Sequence, residues 1–283
     1  MHVSLDSALG RQRRLNSVGE SVLQIAPNAT AAYSLRSLTG GDPKVVRVRR
    51  NTDNAEQDFT ASGISSGALV DFVGSGNDGF VETWYDQSGN GNDAVQATAS
   101  EQPKIVDAGS LIADGIDFDG SDDTLTAASV SGFGATISMF SASVRDSGGA
   151  GVLSMGSSAS TDNTNFGIIE GASVSNVNAR NTTSVTASAS VSGVTRLTFG
   201  LTTGQTSTKS GALGGTLVEN TSDYGDDFTS GELDTIFLGK LRAGSGSSFN
   251  GHIKEALIYT TDQSSNRDAI EANIANYYNI TLV

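Results

Sequence analysis

Phe249-Asn250-Gly251-His252-Ile253-Lys254-Glu255-Ala256-Leu257-Ile258-Tyr259 reads as a strand over 251–259, and a helix follows it within a few residues. In that helix Ser264 or Ser265 supplies the cap, because a Ser hydroxyl accepts from a first-turn N–H. Ala269, Ile270, Asn273, Ile274, Tyr277 and Tyr278 recur at three- and four-residue spacing, forming one stripe that can lie on a sheet. Upstream, short strand candidates occur at 104–106, 115–118, 123–128, 136–144, 150–155, 165–170, 173–179, 184–190, 194–202, 216–219 and 234–239. Gly, Ser, Asn and Asp turns divide them, which is the pattern of an antiparallel sandwich or barrel. The expected fold class is all-β: an antiparallel β-sandwich closed by a short C-terminal helix.

Nearer the N-terminus, Phe80–Tyr85 is a strand carrying the only tryptophan, Trp84, and it runs into a turn-rich loop over 86–93. In Lys44–Arg50, Val46 and Val48 alternate with Arg47 and Arg49, the period of a half-buried strand. Residues 67–74 fit a short helix better than a buried strand. Residues 1–30 read as an extended arm attached to a sandwich over 31–283. Its apolar side chains Leu15, Val18, Val22, Leu23 and Ile25 would find burial against a partner's sheet edge.

Composition narrows the classes. The 283 residues hold no cysteine, which excludes a disulfide framework and a thiolate metal site. No apolar run reaches the roughly 18 residues of a membrane span, and the opening 16 residues lack the apolar core of a signal peptide. With 34 glycines and only 17% charged residues, a helical bundle is disfavoured. The net charge of −14 is uneven: residues 1–50 carry eight Lys/Arg against three acids. A basic arm on an acidic body is one reading; the solvent face of a strand is the other for Arg47, Arg49 and Arg50. An acidic body repels phosphates, so nucleic acid is not an expected partner.

Several of these stretches resemble known families. Ile236-Phe237-Leu238-Gly239-Lys240, the 249–259 strand and the terminal helix resemble the end of a laminin-G-like or concanavalin-A-like jelly roll. Ala32–Arg36, Val46–Arg50 and Trp84-Tyr85-Asp86-Gln87-Ser88-Gly89-Asn90-Gly91-Asn92 resemble the N-terminal part of the catalytic domain of arabinofuranosidase B, itself such a sandwich. Combined with Arg14–Leu23, the chain resembles virion structural proteins of tailed bacteriophages. The arabinofuranosidase family's cysteine-containing active-site region has no counterpart, so the resemblance carries over no catalytic residue.

Glycoside hydrolysis needs two carboxyl groups facing across a sugar. Glu170, at a strand end, is a nucleophile candidate, although its position equally suits a solvent-facing strand residue. Asp86, Ser88 and Asn90 copy the first half of a calcium loop, but the position of the closing Glu is Ala97. The same side chains suit a turn that bonds its own backbone. Asp117, Asp119, Asp122 and Asp123 form a second acidic loop with the same two readings. Gly204–Ser210 lacks the glycine a phosphate loop needs before its lysine. With only His2 and His252, neither a multi-histidine zinc site nor a Ser–His–Asp triad is favoured. Trp84 and Tyr85 read as core, with stacking on a sugar as the alternative.

From sequence alone, the expectation is a non-enzymatic bacteriophage virion protein, a capsid decoration or tail appendage component. Its arm would bind other virion proteins and copies of itself. Its sandwich would meet solvent and host surface glycans, without membrane insertion. No cofactor is expected beyond the calcium candidate. The alternatives are a glycoside hydrolase of arabinofuranosidase B type, a polysaccharide-degrading phage appendage, or a free carbohydrate-binding module.

Overall fold

The computed structural model describes residues 20–159, 163–229, 231–244 and 248–281. The first strands are β1 (Ala31–Ser34), β2 (Lys44–Arg50), β3 (Glu56–Thr60), β4 (Gly79–Trp84), β5 (Ala94–Val95), β6 (Lys104–Asp107), β7 (Ser110–Leu111), β8 (Ile116–Asp119) and β9 (Leu125–Ala127). Then follow β10 (Thr136–Ser147), β11 (Ala150–Gly156), β12 (Asn165–Glu170), β13 (Val174–Arg180), β14 (Ser184–Ser190) and β15 (Thr195–Thr203). The last are β16 (Thr208–Ala212), β17 (Val218–Asn220), β18 (Thr235–Leu238) and β19 (Asn250–Tyr259). The helices are α1 (Val22–Ile25), α2 (Ala61–Ser65), α3 (Ala68–Val73) and α4 (Arg267–Tyr278). None of the described helices is long and apolar enough to cross a membrane.

Antiparallel pairing builds two layers. One runs β1–β19–β10–β15–β16–β17, with β8 beside the first half of β19. The other runs β14–β13–β12–β11–β18–β9. The meander β2–β6 bridges them along one edge, because β6 reaches β8 and β5 reaches β9. This is the expected all-β sandwich.

The layers meet in a core that includes Ile137, Met139, Ile168, Val177, Ile236 and Ile258. The other face of the first layer is covered too. There Phe140, Phe199, Leu257 and Tyr259 pack against Ile270 and Ile274 of α4, Val22 of α1 and Leu38. Covering both faces explains why Ala256–Tyr259 is a continuous apolar run without alternation. Burying Ile270 and Ile274 contributes roughly 2 kcal/mol each, and this docking holds the C-terminal helix in place.

Several local expectations differ from the structure. The described part of the expected arm is not extended: Val22–Ile25 is a helical turn, and Val22 is fully buried. Ser21 and Gln24 close that turn in a reciprocal cap. Leu15 and Val18 lie outside the described residues. Helix α4 starts one residue after Asn266, not at a serine cap; Ser264 instead turns onto Asp262. Strands β3 and β16 and helix α2 had no sequence signal strong enough to find them. Arg49 is buried over Phe80 and donates to Gln102, so Lys44–Arg50 does not alternate strictly.

Candidate functional site

The Trp84–Asn92 motif holds in place the segment that walls a surface groove. Trp84 itself is fully buried, with its ring 5.8 Å from that of Tyr33, so it is core. Asp86 accepts the N–H groups of Ala32, Ser88 and Asn92 and the Ser88 hydroxyl. Gln87 donates to the carbonyls of Ser34 and Arg36 and accepts from the Leu38 N–H. Asn90 and Asn92 donate to the Ala29 and Thr30 carbonyls. The side chains that copy a calcium loop are those that clamp residues 29–38 to the sandwich.

The clamped segment carries Arg36. Its guanidinium makes two bonds to Glu255, at 2.7 and 2.8 Å, and one to Asn273 at 2.7 Å. Glu255, 1% exposed, also accepts from the Ser34 and Tyr278 hydroxyls. An acid inside an apolar strand demands such partners, and that demand was the one signal in the sequence that could have located this site. The partners lie 219 residues apart in the chain, so pairing them needs the fold. Arg36 also lies 4.6 Å from the centroid of the Tyr277 ring. Tyr277 ends the α4 stripe and was expected on the sheet, yet it is 55% exposed. Its ring faces the groove instead.

The groove has a volume of about 810 Å³ and lies between the Glu20–Ser21 turn, Arg36–Asp42, α2 and the last turn of α4. A second hollow of about 290 Å³ shares Arg36, Ala61, Ser65 and Tyr277 with it and extends toward Gly115 and Lys254. Glu20 and Asp42 are the carboxyl groups on the larger groove's walls. Asp42 is held by the hydroxyl and N–H of Ser62, and those bonds lower its pKa, fixing it as a carboxylate. An exposed aromatic face beside a fixed guanidinium, two carboxyl groups and several hydroxyls suits a ring that is apolar on its faces and hydroxylated on its rim.

Other expectations move. Glu170 is neither free nor solvent-facing: it is fully buried and bonded to Arg196 at 2.7 Å, to Thr198 and to Ser175. Burial pushes its carboxyl up, while Arg196 opposes that shift. Its position between the layers keeps a substrate away. The five described basic side chains of the first fifty residues bond within the fold. Arg36 meets Glu255, Lys44 and Arg47 meet Asp58, Arg49 meets Gln102, and Arg50 meets Asp53. Leu23 and Ile25 are half-buried against the core under α4. Asp119, Asp122 and Asp123 do converge, and burial pushes Asp123 up to about 7.

No known protein family matches the chain, and no curated protein does. Solved structures do. A mutant GH54 α-L-arabinofuranosidase soaked with 4-nitrophenyl α-L-arabinofuranoside superposes with a TM-score of 0.66 at 14% identity. An arabinofuranosidase complexed with arabinofuranosyl-α-1,2-xylobiose gives 0.60 at 16% identity. A GH54 α-L-arabinofuranosidase with a cyclic sulfate inhibitor gives 0.58 at 12% identity. Each covers 90% of this chain, which spans 64% of theirs. At these identities the likeness is one of fold. It overturns the expectation of a non-enzymatic bacteriophage virion protein, because the matching folds belong to glycosidases and nothing in them points to a virion.

Proposed function

We propose that the chain is a carbohydrate-active domain of arabinofuranosidase type that takes a furanose-bearing glycan into the groove and hydrolyses it. The groove carries this reading: Tyr277 offers a ring face, Arg36 is locked beside it, and Glu20 and Asp42 supply two carboxyl groups. Hydrolysis calls for one carboxyl that gives a proton and one that stays ionised. Asp42, held ionised by Ser62, takes the second role, and Glu20 is the other carboxyl group on the groove wall. The fold shared with arabinofuranosidases over 90% of the chain supports the substrate class.

The test is release of nitrophenol from 4-nitrophenyl α-L-arabinofuranoside, with binding of arabinofuranosyl-xylobiose followed by calorimetry. Turnover is expected. Asp42→Asn should lower kcat by about 100-fold or more. Tyr277→Ala should chiefly raise KM, by about tenfold. Val194→Ser, at a 75% exposed position away from the groove, should change nothing. Absence of both turnover and binding in the unaltered chain would refute the proposal.

A further inference from the structure

Away from the groove, β8, β19 and β10 bring three metal-ligating side chains to one spot. Asp117 lies directly opposite His252 in the β8–β19 register. On the other edge of β19, His252 faces Val144 of β10, and the register then slips between Arg145 and Ser147. The slip makes Asp146 an extra residue, and a bulge of this kind bends a strand and re-aims its side chain. Asp146 Oδ2 lies 3.5 Å from His252 Nε2, and Asp117 Oδ1 lies 3.7 Å from Nδ1. One ligand atom from each of the three residues lies within 4.8 Å of the other two. The Asp117 and Asp146 side chains are 34% and 50% exposed, so solvent reaches the spot.

Two observations distinguish this cluster from ordinary surface charge. His252 Nδ1 is buried and has no hydrogen-bond partner among the described residues. A buried ring nitrogen left unpaired is costly unless a ligand takes it. The nearby lysines are also committed elsewhere. Lys104, opposite Asp117 on β6, holds Asp78 at 3.2 Å and Asp107 at 2.8 Å, and Lys254 holds Asp114 at 2.9 Å.

We propose that Asp117, Asp146 and His252 bind one divalent transition-metal cation of the zinc or manganese class. One imidazole with two carboxylates suits those ions, whereas an all-oxygen set would suit calcium or magnesium. Zinc takes nitrogen and oxygen ligands at about 2.0–2.2 Å. Binding would draw the Asp117 and Asp146 carboxylates, now beside different ring nitrogens, onto one of them, with water in the remaining positions. The site does not depend on the glycan reading.

Titration calorimetry on the chelator-treated full chain at pH 7, with zinc, manganese and calcium chlorides in turn, tests this. One equivalent of zinc or manganese should bind and raise Tm, and calcium at the same concentration should not. Asp146→Asn and His252→Gln should each weaken binding at least about tenfold with little change in Tm before metal is added. If either substitution unfolds the protein, Asp117→Asn gives the readout, and binding should weaken at least about tenfold there too. No saturable zinc or manganese binding up to about 1 mM, equal binding in both folded variants, or a preference for calcium would each overturn the proposal.

Discussion

Arg196→Met tests the reading of Glu170 as a buried structural acid. In the native fold, Arg196 donates to Glu170 at 2.7 Å and to the carbonyls of Gly171 and Ala172. Methionine fills much of the same volume but removes the charge. The exposed end of the loop lets water reach the Ala172 carbonyl, whereas Glu170 has no such relief. Its carboxyl would keep only Ser175 and Thr198. Losing one partner of a buried pair costs about 3–5 kcal/mol. The acid can escape by holding a proton, which sets a ceiling. Against an ordinary carboxyl pKa near 4.3, that costs about 3.7 kcal/mol at pH 7 but only about 1 at pH 5.

The sign follows from burial: the folded carboxyl is pushed up relative to the unfolded chain. Stability tied to it is therefore full below the unfolded pKa and lost as pH rises. Arg196→Met strengthens that trend. Urea melts followed by the fluorescence of Trp84, the only tryptophan, should show a loss of about 3–3.7 kcal/mol relative to the parent chain at pH 7. At pH 5 the loss should shrink to about 1 kcal/mol. The paired change Glu170→Met with Arg196→Met should recover most of it. A loss under about 1 kcal/mol at pH 7, or an equal loss at both pH values, would falsify the reasoning.

Three further predictions follow from single contacts. Gln87→Ala removes a side chain that bonds three backbone groups of residues 34–38; denaturant melts should show a loss of about 2–4 kcal/mol, and glycan binding should fall as Arg36 loosens. Gly115→Ala should cost more than about 1 kcal/mol by thermal melting, because φ there is +113° and a Cβ would lie 2.5 Å from the Ile253 carbonyl oxygen. Burial raises the Asp123 carboxyl to about 7, so its contribution is full below the unfolded pKa and lost as pH rises through 7. Asp123→Asn should flatten the fall of Tm between pH 4 and 7; an unchanged slope would show that other groups set it.

Local patterning was enough to read an antiparallel sandwich with a closing helix. Period-2 alternation, turn residues at short intervals and one three-and-four stripe depend only on neighbours along the chain. Those signals led to the sandwich, the 68–73 helix and the closing helix. Even the clamp motif was visible as Trp84–Asn92, although not its task. What each polar residue does depends on contacts made only after folding. Glu170 looked like a surface acid because its partner, Arg196, lies 26 residues away on another strand. The groove was invisible because Arg36, Asp42, Ser62 and Tyr277 come from opposite ends of the chain. Asp146 reaches His252 only through a bulge, which no local pattern announces. Residue 22 of the expected arm shows the same reason: Val22 finds its apolar partners in Ile270 and Ile274, about 250 residues later in the same chain. Burial and charge pairing belong to surfaces that meet only after folding, and those surfaces carry the function.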